Sequence, residues 1–341
     1  WNVAVYHTDE VIQTTATAFA RNHSVTISGN KPNGVTPVIE YKATSESAWK
    51  TVDAKDIELK ATTYTTTIGG LTESTDFNYK VTAGGSKVEA QTFSTAARQE
   101  LPNSSFDDWS TDASNAKLYN PWAEGGTSFW DTGNRGATTV GNSNSVPTDD
   151  TSTGSGKAAY LESKWIVIKF AAGNIFTGTY LKTDGTNGVL GFGRPFTAFP
   201  TKMSFDYKYK SEEISKVGDD AYAYLKGRPD SCNIYVALWH IAEGEHEEFQ
   251  GEKYPLIIRT KPGMEQNLFH TDDPRVIAYG QFTEGRTINN WTSETIDIKY
   301  KNTQLAPTHI LVVASSSKYG DFFTGGVGST LVLDNMKLIY D

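Results

Sequence analysis

The sequence predicts an all-β protein, and three observations carry that expectation. Runs rich in Val, Ile, Thr, Tyr and Phe recur between clusters of Gly, Asn, Asp and Pro. Almost no stretch shows the 3.6-residue apolar period of a helix. The 30 Gly and 12 Pro follow no fixed period, so they mark turns rather than a collagen-like or low-complexity chain. The clearest alternations are Ser24 to Ser28, Val38 to Tyr41, Phe77 to Val81, Lys202 to Lys210, Cys232 to Trp239, Glu294 to Lys301, His309 to Ala314 and Thr330 to Tyr340. Each alternates core-facing and outward side chains with the strand period of two.

A length of 341 residues suggests about two domains. The break is expected in Ser94-Thr-Ala-Ala-Arg-Gln-Glu-Leu-Pro102, which is small, polar and ends at a proline. Residues 1–97 then have the size and strand spacing of a seven-stranded sandwich. Residues 101–341 read as roughly ten strands with long connections, as in two packed sheets following a jelly-roll path.

Charge and composition exclude several functions. Forty acidic residues against 31 basic ones give a net charge of −9, which repels nucleic acid. The single cysteine, Cys232, allows neither an internal disulfide nor a cysteine-rich zinc cage. No stretch approaches the roughly 18 apolar residues of a membrane-spanning helix. The chain opens on Trp1 with neither an initiator Met nor an apolar leader, which suggests export with a leader removed. The six histidines are scattered, with no metal-ligand spacing.

In the first domain, Leu71-Thr-Glu-Ser-Thr-Asp-Phe-Asn-Tyr-Lys-Val-Thr-Ala83 places Phe77, Tyr79 and Val81 on one strand face, with Leu71 beneath the corner leading into it. With Glu40-Tyr41-Lys42, Trp49 and Thr92-Phe93-Ser94-Thr95, this segment resembles a fibronectin type III module, an immunoglobulin-like sandwich. The resemblance implies a spacer or adhesive unit.

In the second domain, Leu101-Pro-Asn-Ser-Ser-Phe-Asp-Asp-Trp109 and Ser329 to Tyr340 resemble the opening and closing strands of jelly-roll carbohydrate-binding modules. Further strings are Phe129-Trp-Asp-Thr-Gly-Asn134, Ala171-Ala-Gly-Asn-Ile-Phe-Thr-Gly178, Gly191-Phe-Gly-Arg-Pro-Phe-Thr197, Phe205-Asp-Tyr-Lys-Tyr209 and Ser315-Ser-Ser-Lys-Tyr-Gly-Asp-Phe-Phe-Thr-Gly325. Together they resemble the Bacteroidetes family known as the putative carbohydrate metabolism domain. That resemblance implies an exported protein linked to glycan use, at the cell surface or in the periplasm of a Gram-negative bacterium.

Sugars are held by flat aromatic faces against their C–H side and by planar polar groups at their hydroxyls. Trp109, Trp122 and Trp130 fall among turn-forming residues, where a ring either meets a ligand or caps the core. Trp130 is the preferred ligand-facing ring, with Asp131 and Asn134 beside it. By strand phase, Met203, Phe205, Tyr207 and Tyr209 point inward and leave Asp206 and Lys208 outward. Likewise Ile234, Val236 and Leu238 point inward and leave Tyr235 and Trp239 outward. On a concave sheet Tyr235 and Trp239 would form a platform near Asp206 and Lys208; on a convex one, loops would cover them. Arg194, before Pro195, is a candidate bidentate donor to a diol or carboxylate, or else a structural ion-pair partner.

Glu243, Glu245 and Glu247 have the alternate spacing of paired glycosidase carboxylates, loosely as in laminarinase-type hydrolases. Gly244 and the solvated composition favour a hairpin loop instead. Asp107 and Asp334, on the terminal strands, could share a structural calcium, or simply cap turns.

The leading expectation is a non-catalytic, exported protein that binds an oligo- or polysaccharide. The alternatives are a glycoside hydrolase or lyase of the same architecture, and a structural or adhesive surface protein. If the tryptophans prove to be core, Arg194 and the Ser315 to Asp321 loop are the next candidates.

Overall fold

The computed structural model of the chain describes residues 12–340. Residues 1–11 of the expected first domain lie outside the described residues. The chain divides into two compact units, one up to Arg98 together with Tyr340, the other Gln99–Ile339.

The first unit has two antiparallel four-stranded sheets. One runs Thr17–Ala20, Val25–Asn30, Thr63–Ile68, Glu58–Leu59, and the other Lys50–Thr51, Val38–Ala43, Asp76–Ala83, Ser86–Ser94. Among the described residues eight strands replace the expected seven, because the polar stretch between Lys50 and Leu59 makes two brief edge pairings. Val25, Ile27, Ile39, Tyr64, Phe77, Tyr79 and Val81 form the core between the sheets. Phe77 and Phe93 stack with ring centroids 5.1 Å apart, and Leu71 is buried with them.

The second unit is a larger sandwich. Its nine-stranded sheet follows the order Leu256–Arg259, Asn187–Phe192, Asn174–Asp184, His309–Ser315, Cys232–Trp239, Val276–Glu284, Lys299–Tyr300, with Trp130–Asp131 and Arg194–Pro195 paired alongside. The five-stranded sheet runs Ser145–Thr148, Ala158–Glu162, Thr330–Ile339, Lys202–Lys210, Ile288–Asp297. Short extra hairpins in the connections take the strand segments beyond the ten expected. The two sheets meet through Met203, Phe205, Tyr207 and Tyr209 on one side and Ile234, Val236 and Leu238 on the other, all buried as their phase requires. Phe205 and Tyr207 both lie edge-on to Phe282 across this core.

The nine-stranded sheet is apolar on its other face as well. Phe176, Tyr180, Leu190, Phe192, Tyr235, Trp239, Leu311 and Val313 form a second buried cluster there, against which Leu268, Phe269 and Tyr279 pack. A sheet covered on both faces carries continuous apolar runs. This is why Cys232–Trp239 is buried at nearly every position rather than at alternate ones. Cys232 itself is a buried free thiol, its pKa pushed up to about 12 by burial.

One pH effect follows from this packing. His309 begins the strand His309–Ser315, and burial, aided by the nearby His246 ring 5.3 Å away, pushes its pKa down to about 4 from the usual 6.5. The fold therefore favours neutral His309. That contribution is complete above 6.5 and is lost as pH falls through that value towards about 4. We expect His309→Gln to lose less stability than the native chain between about pH 7 and about pH 5, read as urea midpoints. Equal losses in both proteins would remove His309 as the cause.

Candidate functional site

The outer face of the nine-stranded sheet is not covered everywhere. Between its Tyr180–Tyr235 region and the loops above lies a cavity of about 250 Å³. Phe176, Tyr180, Leu190, Phe192, Tyr235 and Val313 line it from the sheet. Strands Asn174–Asp184, Asn187–Phe192, Cys232–Trp239 and His309–Ser315 supply these side chains from alternate positions, which puts rings from several strands on one surface.

The polar groups come mainly from strand ends and loops. Asn233 and Asn187 bring amides, Thr183 a hydroxyl bonded to Tyr180 Oη at 2.9 Å, and Lys169 and Lys318 bring cations. Lys169 Nζ donates to Asn187 Oδ1 at 2.6 Å and lies 3.3 Å from the centroid of Phe323. Burial lowers its pKa to about 8.

Asp321 completes the site, from the short turn Gly320–Phe322 that follows strand His309–Ser315. It keeps an open surface towards the cavity, yet the surrounding protein mass desolvates its carboxyl and raises its pKa. No hydrogen bond or ion pair to its carboxyl is made among the described residues. Its charge contributes to raising the Tyr235 pKa, behind the larger effect of burial. Among the described residues that line the cavity, Asp321 is the one carboxylate.

Of the residues singled out in the sequence, the cavity holds Tyr235 and, from the Ser315 to Asp321 loop, Ser315, Ser317, Lys318, Gly320 and Asp321. The others have different work. Trp130 is fully buried; its Nε1–H donates to Pro102 O at 2.6 Å, and its ring lies edge-on to Phe106 and Phe129. It is a core cap, not a ligand-facing ring. Asp131 is buried, accepting from the backbone N–H of Tyr180 at 2.7 Å and of Thr132 at 2.8 Å, and desolvation raises its pKa. Asn134 is equally committed: Nδ2 donates to Tyr119 O and Ser145 O, while Oδ1 accepts from the N–H groups of Asn144 and Ser145. Arg194 donates to Phe129 O, Ser128 Oγ, Thr179 Oγ1 and Gly178 O, and desolvation lowers its pKa. Its guanidinium fixes these carbonyls and hydroxyls instead of meeting a diol.

The expected platform of Tyr235 and Trp239 beside Asp206 and Lys208 is corrected, because the two pairs belong to different sheets. Asp206 accepts from Ser293 Oγ at 2.5 Å and Asn335 Nδ2 at 3.0 Å. Lys208 Nζ reaches both oxygens of Asp150 at 2.7 Å and lies over Trp291. Trp239 is fully buried against Phe269, and a side chain at Gly193, where φ is +96°, would collide with its ring.

Asp107 and Asp334 both take the turn-capping role. Asp107 accepts from Lys157 N at 2.7 Å and Asp334 from Ser152 N at 2.7 Å, so they grip opposite ends of one loop. No cluster of three or more His, Cys, Asp or Glu able to hold a metal occurs among the described residues. The Glu243 to Glu248 run forms a turn entering the hairpin Glu247–Phe249 and Glu252–Tyr254, with Glu245 Oε2 accepting from Ala242 N at 2.9 Å.

Lys169 was missed as a site residue, and Asp321 was reached only as the end of the Ser315 to Asp321 loop, the candidate held behind the tryptophans. The signal for Asp321 was the string Ser315 to Gly325, which stood out for its composition. Lys169 had none, since its role depends on a hairpin that folds it over the sheet.

The chain is similar in fold to two solved structures. One, described as a "putative glycoside hydrolase" from Bacteroides thetaiotaomicron VPI-5482, is 20% identical with a TM-score of 0.52, over 94% of this chain and 88% of that one. The other, described in the same words and from Bacteroides vulgatus ATCC 8482, is 21% identical with a TM-score of 0.51, over 69% of this chain and 96% of that one. No match was found among curated proteins. Residues 105–339 match the family described as "Putative carbohydrate metabolism domain", a stretch covering nearly all of the second unit and its cavity, and the chain therefore belongs to that family.

Proposed function

We propose that this protein binds a glycan in the cavity on the outer face of the nine-stranded sheet. One observation carries the reading: aromatic and aliphatic side chains of the sheet form an apolar floor, and amides, a hydroxyl and one carboxyl stand around it. Such a floor suits the C–H face of a sugar ring, and the polar groups suit its hydroxyls. Within this reading the first unit is an immunoglobulin-like, fibronectin type III spacer and the second a jelly roll. The protein works outside the cytoplasm, where polysaccharides are met.

Binding without hydrolysis is favoured, because both glycosidase geometries need two carboxyl groups flanking one bond. The hydrolase reading draws on Asp321, whose raised pKa and freedom from protein partners suit a general acid. A glycan array with the full chain, and with Asn233→Ala and Asp321→Asn, tests both readings. We expect each variant to weaken binding by about tenfold or more while melting normally, and no product to form. Unchanged binding in both variants would sink the site. Glycan cleavage that disappears in Asp321→Asn would establish the hydrolase instead.

A further inference from the structure

A second cavity, of about 360 Å³, adjoins the first across the hairpin formed by Lys164–Ile166 and Lys169–Ala171. The two share Ile168, Lys169, Phe170 and Phe323 in their walls. The hairpin tip is unusual for a surface. Trp165, Val167 and Ile168 are all exposed, and Val167 sits at φ +54°, a strained backbone conformation for a β-branched residue.

The charge in this cavity has one sign. Lys169, Lys216 and Lys226 line it, and none of the described lining residues is acidic. In a chain with 40 acidic and 31 basic residues, a carboxylate-free wall with three lysines runs against the overall balance. None of the three makes an ion pair among the described residues. Lys216 Nζ stands 4.2 Å from the Trp165 ring centroid and Lys169 Nζ 3.3 Å from that of Phe323, so two of the ammonium groups are laid on rings rather than on acids. The neighbouring Asp219 is turned away to cap its own short helix, accepting from Ala221 N at 2.9 Å. The depressed pKa of Lys169 agrees with a cation left uncompensated.

We propose that this second cavity is a subsite for an acidic sugar unit, whose carboxylate or sulfate is held by Lys169, Lys216 and Lys226 while its ring lies against the Trp165 hairpin. The inference rests on the glycan reading of the first cavity and extends it: the bound glycan carries negative charge at one unit. Trp165 offers the ring an apolar edge, and lysines act on the anion as point charges, without the fixed fork that arginine would impose.

The test uses the full chain with three monosaccharide probes: glucose, glucuronate and glucose 6-sulfate, titrated at low and at high salt and followed by NMR. At least one of the two anions is expected to bind about tenfold or more tightly than glucose at low salt, with the advantage shrinking at high salt. Which anion binds identifies a carboxylate or a sulfate ester as the recognised group. The double variant Lys216→Met/Lys226→Met is expected to lose the preference, and Lys253→Met, on a hairpin strand that lines neither cavity, to keep it. Equal affinity for all three probes overturns the inference, as does a preference that survives in the double variant. A neutral glycan still captured through Asn233 and Asp321 in either of those cases would leave the first cavity's role standing and remove only the acidic subsite.

Discussion

Trp130→Ala is expected to destabilise the second unit by about 3–5 kcal/mol, the usual cost of emptying a large aromatic site in a packed core. The ring is fully buried, meets Phe106 at 5.3 Å and Phe129 at 5.9 Å between centroids, and satisfies the Pro102 carbonyl. Alanine leaves both a cavity and an unpaired acceptor. Urea unfolding of the full chain, followed by near-ultraviolet circular dichroism, reads the effect as a lower midpoint with little change in slope. A variant that unfolds like the native chain but no longer binds glycan would return Trp130 to the ligand site.

Asn134→Ala is expected to cost a comparable amount, on the order of 4 kcal/mol, for a different reason. The Asn134 amide is buried and makes four hydrogen bonds, at 2.8 and 2.7 Å as donor and at 3.1 Å twice as acceptor. Its removal strands two carbonyls and two N–H groups, each costing about 1–3 kcal/mol when left buried without a partner, though the segment can relax in part. Asn134→Asp should also be costly, since it keeps the acceptors and loses both donors. The same urea titration distinguishes this account from a surface role. An Asn134→Ala midpoint within about 0.5 kcal/mol of native would mean that the network contributes little.

These residues show how a composition can point at one chemistry while the fold uses it for another. Trp-Asp-Thr-Gly-Asn has the makeup of a sugar site, yet its indole, carboxylate and amide all turn inward to tie loops to strands. Aromatic and amide groups serve recognition and core satisfaction by the same hydrogen bonds, so residue type cannot separate the two. Strand phase was the more dependable guide. It placed Met203, Phe205, Tyr207 and Tyr209 in the core and Tyr235 on the opposite face from Ile234 and Val236, as observed. It also sent Trp239 to that face, where Phe269 packs edge-on to its ring.

Alternation and turn residues by themselves determined that the chain is all-β and that its long apolar runs are sheet strands, while the family was legible only through the resemblance of several glycine-rich and polar strings in one order. Those properties are local: a period of two, a break at glycine or proline, or a string of neighbours can be read without knowing what lies across the fold. Only the tertiary structure decided which part of the sheet's outer face stays open. Tyr235 lines a cavity and Trp239 does not because of where the segments bearing Lys169, Phe269 and Asp321 come to rest, many residues away in sequence. Asp321 likewise acquires its raised pKa from protein brought around it by long-range strand pairing. Burial and desolvation depend on everything within reach of a group in space, and a chain read along its length carries no direct measure of that.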